Sequence, residues 1–153
     1  MNKLKELKKQ IYSQLLELTD KKIDTAKKAI DSAKESRDND TKSSAGDKYE
    51  TGRAMMQIEM DKNEAQYSKA MKLKRELSQI NIQKDYNKAE FGSLVVTNHG
   101  KYFISIGIGK IEVNKENYYC ISIASPIGKL LLNKEIGDKV QFQDREFTIS
   151  DIL

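Results

Sequence analysis

The spacing of apolar residues changes once along this chain, near Asp85, and the change restricts the folds available to it. Before Asp85, apolar residues recur every three or four positions, which is the spacing of one face of a helix. After it, short runs rich in Val, Ile, Tyr and Phe alternate with turn-forming residues, which is typical of strands. A chain of 153 residues has room for one ordinary domain or two small ones. The sequence therefore predicts an α+β protein with a helical domain over residues 1–85 and a β-rich domain over residues 86–153.

Two long helices separated by a loop are predicted in the first domain. The first apolar stripe slips at Lys22 and comprises Leu4, Leu7, Ile11, Leu15, Leu18, Ile23, Ala26, Ile30 and Ala33. The second comprises Tyr49, Met56, Met60, Tyr67, Ala70, Leu77 and Ile80. Residues 38–46 between them have the composition of a loop. Because such helices need to bury their apolar faces, we predict an antiparallel, coiled-coil-like hairpin with its tip at residues 38–48.

A small, strongly bent antiparallel sheet with one short helix is predicted in the second domain. The expected strands are residues 94–97, 101–108, 118–123, 139–142 and 146–152, and the expected helix is residues 126–132. Cys120 lies in an apolar run, so we expect a buried thiol. His99 lies in Asn98-His99-Gly100, which favours a hairpin turn over a metal site.

The excess positive charge lies entirely in the first domain. Residues 1–85 contain 19 Lys and Arg against 15 Asp and Glu, whereas residues 86–153 contain 8 of each. A basic surface attracts nucleic acid, although a solvated helix face of mixed charge has the same composition. The N-terminus lacks the apolar core of a signal peptide, and no run approaches the roughly 20 apolar residues of a membrane span. We therefore expect a cytoplasmic, monomeric protein without a membrane partner.

Residues 121–140 carry the most specific pattern in the chain. Ser125 is a good N-cap, and Pro126 suits the first helical position, where its missing N–H costs nothing. Ile127, Leu130 and Leu131 are predicted to share one helical face, and Gly137-Asp138 supplies a turn before the next strand. This segment resembles the signature of the C-terminal domain of the bacterial transcript cleavage factors, the GreA/GreB family. Tyr49 and Arg53 also resemble that family's Tyr-x-x-x-Arg after the hairpin tip, so the resemblance covers nearly the whole chain.

The resemblance implies a fold and a partner. It implies an FKBP-like C-terminal domain without isomerase activity, which docks on the rim of the RNA polymerase secondary channel while the hairpin enters the channel. Nascent RNA would be contacted only indirectly, and its cleavage in backtracked complexes would be carried out by the polymerase. No independent active site and no cofactor bound by this chain alone are expected, although the Mg²⁺ of the polymerase could be shared at the tip. The expected partner-docking residues are Ser125, Pro126, Ile127, Gly128 and Lys129.

The hairpin tip departs from the family pattern. The usual acidic pair falls seven and four residues before the tyrosine, where this chain has Lys42 and Ala45. Nearby carboxylates that could assist a metal are Asp38, Asp40, Asp47 and Glu50. Asp47 could instead cap the second helix, and Asp38 and Asp40 could simply be solvated. The expected tip contacts are Lys42, Ser43, Ser44, Gly46, Lys48, Tyr49 and Arg53.

Two functions remain open at this point. The first is a secondary-channel factor that modulates transcription elongation, with stimulation of RNA cleavage as one form of that activity. The second is a helical-hairpin module that binds RNA or the ribosome without a catalytic role. Base-stacking aromatic residues would favour the second function, but the hairpin's tyrosines, Tyr12, Tyr49 and Tyr67, are widely spaced.

Overall fold

The computed structural model describes the backbone of residues 2–40 and 47–153 and the side chains of residues 3–38 and 51–153. The helices are α1 (Asn2–Asp40), α2 (Asp47–Ser78) and α3 (Pro126–Leu131). The strands are β1 (Leu94–Thr97), β2 (Gly100–Ile104), β3 (Gly109–Val113), β4 (Glu116–Ile121), β5 (Lys139–Phe142) and β6 (Arg145–Ile152). The predicted α+β class is confirmed. In the described ranges, no helix combines the length and apolar character needed to cross a membrane.

Contacts divide the chain into two compact units. One unit, here called the β unit, comprises Met1–Leu15 and Glu76–Leu153, and the other, the helical unit, comprises Leu16–Arg75. The ends of the two long helices nearest to the sheet thus belong to the β unit. The predicted division near Asp85, which rests on the change of period, stays a prediction.

The two helices of the helical unit run antiparallel. Near one end of this unit, Lys74 Nζ on α2 lies 2.6 Å from Asp20 Oδ1 on α1. Near the other end, Arg37 Nη1 on α1 lies 3.8 Å from Met60 Sδ on α2. Residues early in α1 therefore face residues late in α2, as expected for a hairpin. The buried residues of this unit, within its described part, are Thr19, Ala26, Met60, Asn63 and Ala70.

The β unit contains a six-stranded sheet with the order β3-β4-β2-β1-β6-β5. Four of the neighbouring pairs are antiparallel, and β2 and β4 are parallel, with Phe103 opposite Cys120. The parallel pair was not predicted, because local patterns do not show which distant strands become neighbours. Strand β3 was also missed, since it begins at Gly109 and only Ile111 and Val113 in it are buried.

Two tight turns connect neighbouring strands of this sheet. Asn114 and Lys115 join β3 to β4 with φ angles of 53° and 68°, and Gln143 and Asp144 join β5 to β6 with φ angles of 52° and 63°. Two-residue loops with positive φ at both positions match the right-handed twist of antiparallel strands. The antiparallel pairings of β3 with β4 and of β5 with β6 are therefore secured by local backbone geometry.

One face of the sheet is covered by α3. Ile127 and Leu131 on this helix are buried against side chains of β1, β2, β5 and β6. The prediction that Leu130 shares this face is wrong, because its side chain is 38% exposed. At 3.6 residues per turn, Leu130 points roughly 100° away from the centre of the arc formed by Ile127, Gly128 and Leu131. This short helix packs only one face against the sheet.

The start of α1 is fastened within the β unit by a buried lysine. Lys8 has an exposed fraction of 3%, and its Nζ donates a hydrogen bond to the Leu153 carbonyl oxygen at 2.9 Å. The same ammonium lies 4.4 Å from the ring centroid of Tyr86. Burial lowers the pKa of Lys8 to about 8, and the neighbouring Asp85 carboxylate opposes this change.

Candidate functional site

The short helix α3 begins at a well-formed N-cap, as the sequence predicted. The Ser125 side-chain oxygen accepts a hydrogen bond from the Gly128 N–H at 3.1 Å and donates one to the Ser122 carbonyl at 2.7 Å. Pro126 occupies the first helical turn. Ser125 therefore ties the end of the preceding strand to the start of the helix, and an N-cap of this kind contributes about 1 kcal/mol.

Gly128 is required by close packing and not by an unusual backbone angle. A Cβ atom built at this position would lie 2.2 Å from the Ser122 carbonyl oxygen, a distance at which no side chain fits without backbone movement. The glycine thus allows α3 to approach the chain that leaves β4. The sequence shows a glycine at position 128, but the neighbouring atom that excludes a larger residue there is evident only in the folded structure.

The predicted docking residues divide into two groups. Ile127 and Gly128 are buried, so their role is to position α3. Pro126 and Lys129 are exposed, and Ser125 is partly exposed. The sequence reasoning missed the exposed apolar side chains in the same stretch of chain. These are Ile123 (43% exposed), Leu130 (38%) and Ile136 (56%).

This stretch of the β unit is a candidate protein-binding surface. Pro126 and Leu130 are four residues apart, so they lie on the same side of α3, with Lys129 beside them. An exposed apolar group that a rigid helix holds in place is suited to contact a protein. The stretch also contains Lys129, Lys134 and Glu135. Two cations and one carboxylate among apolar side chains are a poor match to a nucleic-acid backbone, which requires several cations.

The predicted tip residues lie mostly outside the described side chains. The placement of Lys42, Ser43, Ser44, Ala45 and Gly46 is outside the described residues, as are the side chains of Asp40, Asp47, Lys48, Tyr49 and Glu50. Asp38 and Arg53 are described, and both are exposed. Arg37, which precedes the tip, has its Nη2 atom 3.5 Å from the Asp38 carboxylate.

Two further candidates from the sequence are resolved in the β unit. Cys120 is buried, as predicted, with an exposed fraction of 1%, and desolvation raises the pKa of its thiol to about 12. This thiol is therefore protonated and unreactive at neutral pH. His99 lies in the β1–β2 turn, as predicted, with its ring centroid 4.9 Å from that of Phe147. Among the described residues, no His, Cys, Asp and Glu side chains group as metal ligands would.

Comparison with known proteins gives an independent result for the second half of the chain. Residues 86–153 match the family model described as "Transcription elongation factor, GreA/GreB, C-term". The matched range contains the whole sheet, α3 and its Ser125 cap. No curated protein matches the chain. The domain formed by residues 86–153 is therefore similar to the C-terminal domain of the GreA/GreB transcription elongation factors.

Proposed function

We propose that this protein binds RNA polymerase at its secondary channel and modulates transcription elongation. The observation that carries the proposal is the match of residues 86–153 to the C-terminal domain of GreA/GreB transcription elongation factors. The antiparallel pair of long helices that precedes the domain supports it, because the family resemblance implies a hairpin that enters the channel. The protein acts as a factor on the polymerase and not as an enzyme in its own right.

The surface around α3 is the part of this domain that we propose as the polymerase contact. Pro126, Lys129 and Leu130 are exposed on a helix held rigidly by a cap and by buried neighbours. Residues 86–153 have no net charge, which favours a protein over a nucleic acid as the partner of this domain. Ile127 and Gly128 contribute by fixing the position of the helix.

A binding measurement with purified RNA polymerase core tests this proposal. The full chain should bind the core enzyme, and Lys129→Glu should weaken the binding several-fold, because a reversed charge opposes a complementary partner surface. Lys110→Glu is the matched control, since Lys110 is also an exposed lysine of the matched domain but lies on β3. Absence of binding by the wild-type chain, together with tight binding to RNA or ribosomes, would instead favour the hairpin-module function.

The hairpin tip of this chain is proposed to be a poorer cleavage stimulant than the usual acidic tip. Lys42 and Ala45 occupy the positions at which the family resemblance implies carboxylates. A lysine ammonium about 4 Å from Mg²⁺ would oppose metal binding by roughly several kcal/mol, even at an effective dielectric near 20. Sharing of the polymerase Mg²⁺ would then depend on Asp38, Asp40, Asp47 or Glu50.

Transcript cleavage in stalled, backtracked complexes tests the proposed role of the tip. The double variant Lys42→Asp/Ala45→Glu should stimulate cleavage more than the wild-type chain does. The triple variant Asp38→Ala/Asp40→Ala/Asp47→Ala should remove any residual stimulation by the wild type. Strong wild-type cleavage that survives in the triple variant would show that other residues assist the metal.

A further inference from the structure

A lysine-lined groove lies between the two helices of the helical unit, at the level where the apolar stripe of α1 slips. The groove has a volume of about 500 Å³. Its lining consists of Lys21, Lys22, Thr25, Ala26, Gln66, Lys69, Ala70 and Leu73. The volume falls within the range of sites that bind small molecules, which is roughly 300–1,000 Å³.

The groove exists because two small residues stand where larger apolar residues would fill the space between the helices. Ala26 and Ala70 both line the groove, and their exposed fractions are 5% and 3%. Toward the tip, the larger Met60 is buried, with an exposed fraction of 3%. A Leu or Ile at either alanine position would occupy volume that is now open, because side chains in a packed seam fill the space between helices.

All the charged residues that line the groove are positively charged. Lys21, Lys22 and Lys69 line it, and no carboxylate does. Other lysines of this unit are paired with acids, for example Lys74 with Asp20 and Lys28 with Asp24. Within the described side chains, none of the three groove lysines has a carboxylate within salt-bridge distance. Three ammonium groups around one hollow repel one another, and a bound anion would relieve that repulsion.

The groove also offers groups that would orient a ligand. The Thr25 hydroxyl and the Gln66 amide can donate hydrogen bonds, and Leu73 extends the apolar floor formed by the two alanines. We propose that this groove binds a phosphorylated small molecule of nucleotide size. The lysines would hold its phosphates, and the apolar floor would accept the uncharged part. This site is distinct from the proposed polymerase contacts, so its test requires no polymerase.

The test is a binding titration of the full-length chain with ATP and with inorganic triphosphate at low salt. We expect ATP to bind with one-to-one stoichiometry and with an affinity that decreases as salt is raised. Lys21→Gln/Lys22→Gln/Lys69→Gln should weaken binding by at least about tenfold, because each lysine lost removes a charge-assisted hydrogen bond. The matched control Lys27→Gln/Lys34→Gln/Lys62→Gln removes the same charge from exposed positions outside the groove and should change the affinity less than about twofold.

A second variant separates a shaped site from simple charge attraction. Ala70→Leu retains all three lysines but fills the hollow, so it should weaken ATP binding by at least about tenfold and inorganic triphosphate binding by less. Helical content, measured by circular dichroism, should match the wild type in every variant used. Any one of three results would overturn the proposal. The first is no ATP binding at 1 mM, about the upper end of typical small-ligand affinities, and the second is an equal loss of ATP affinity in the groove and control triple variants. The third is a single-stranded RNA that binds more tightly than ATP and whose binding is weakened equally by both triple variants.

Discussion

The helical unit and the β unit bury very different kinds of side chain. In the β unit, large residues such as Phe103, Ile104 and Leu131 have no exposed surface. In the helical unit, two of the buried residues that the structure describes are alanines and two, Thr19 and Asn63, are polar. Because hydrophobic stabilisation follows the apolar area removed from water, we expect the β unit to have the greater stability per residue.

This difference agrees with separate roles for the two regions. The docking surface that we propose on α3 needs side chains held in one arrangement, which the helix cap, a buried glycine and two buried apolar residues provide. A hairpin that enters a channel, as we propose for α1 and α2, needs length more than a thick core. Local opening is also expected first where few apolar contacts are buried.

The largest effect is expected from truncating a buried leucine of the β unit. Leu131→Ala should lower the free energy of unfolding of this unit by roughly 3 kcal/mol, because Leu131 is fully buried and its removal leaves a cavity. Met60→Ala in the helical unit should cost about 2 kcal/mol, since the neighbouring helix can relax toward the smaller side chain. Native-state hydrogen exchange, which resolves the two units, measures both. A larger loss for Met60→Ala would contradict the comparison.

A smaller effect is expected from adding one methyl group beneath α3. Gly128→Ala should destabilise the β unit by about 1–3 kcal/mol, because the new Cβ meets the Ser122 carbonyl oxygen and the helix has to shift. Gly107→Ala is the control, since the nearest atom to a Cβ at that position is 4.0 Å away. Thermal unfolding followed by circular dichroism compares the two variants. Equal melting temperatures would show that α3 moves freely.

Loss of the α3 cap should have an effect of about 1 kcal/mol. Ser125→Ala removes the oxygen that accepts from the Gly128 N–H, and such a loss typically costs about 1 kcal/mol. Ser13→Ala, at an exposed position inside α1, should be neutral or slightly stabilising because alanine has the higher helix propensity. Chemical denaturation of both variants measures the two changes in the free energy of unfolding. A stable Ser125→Ala variant that still loses polymerase binding would assign Ser125 a contact role.

A last effect, different in kind from the others, is a pH dependence of stability that arises from Lys8. Its pKa is lowered to about 8 in the folded protein from 10.5 in the unfolded chain, so between these values the unfolded chain binds more protons. The free energy of unfolding contributed by Lys8 therefore rises from pH 8 toward pH 10 and is constant below pH 8. The wild type should gain stability relative to Lys8→Met over that interval. A difference that is constant with pH would show that the pKa of Lys8 is not lowered in the folded protein.

Local signals were sufficient for much of the fold. Helical spacing predicted α1 and α2, and the Ser125-Pro126 pair predicted the cap and the start of α3 as the structure has them. The apolar run around Cys120 predicted a buried thiol, and burial is what the structure shows. Such predictions succeed because capping, turn chemistry and periodicity depend on residues a few positions apart.

Tertiary structure decided what depends on distant neighbours. The parallel pairing of β2 with β4 and the existence of β3 required strands brought together by the whole sheet. Leu130 is exposed because only one face of α3 packs against the sheet. Gly128 is required because the Ser122 carbonyl lies against that helix. Lys8, which resembles any surface lysine in the sequence, was buried by its contacts with Tyr86 and Leu153. In each case a side chain's environment depends on residues that the fold, and not the local sequence, brings beside it.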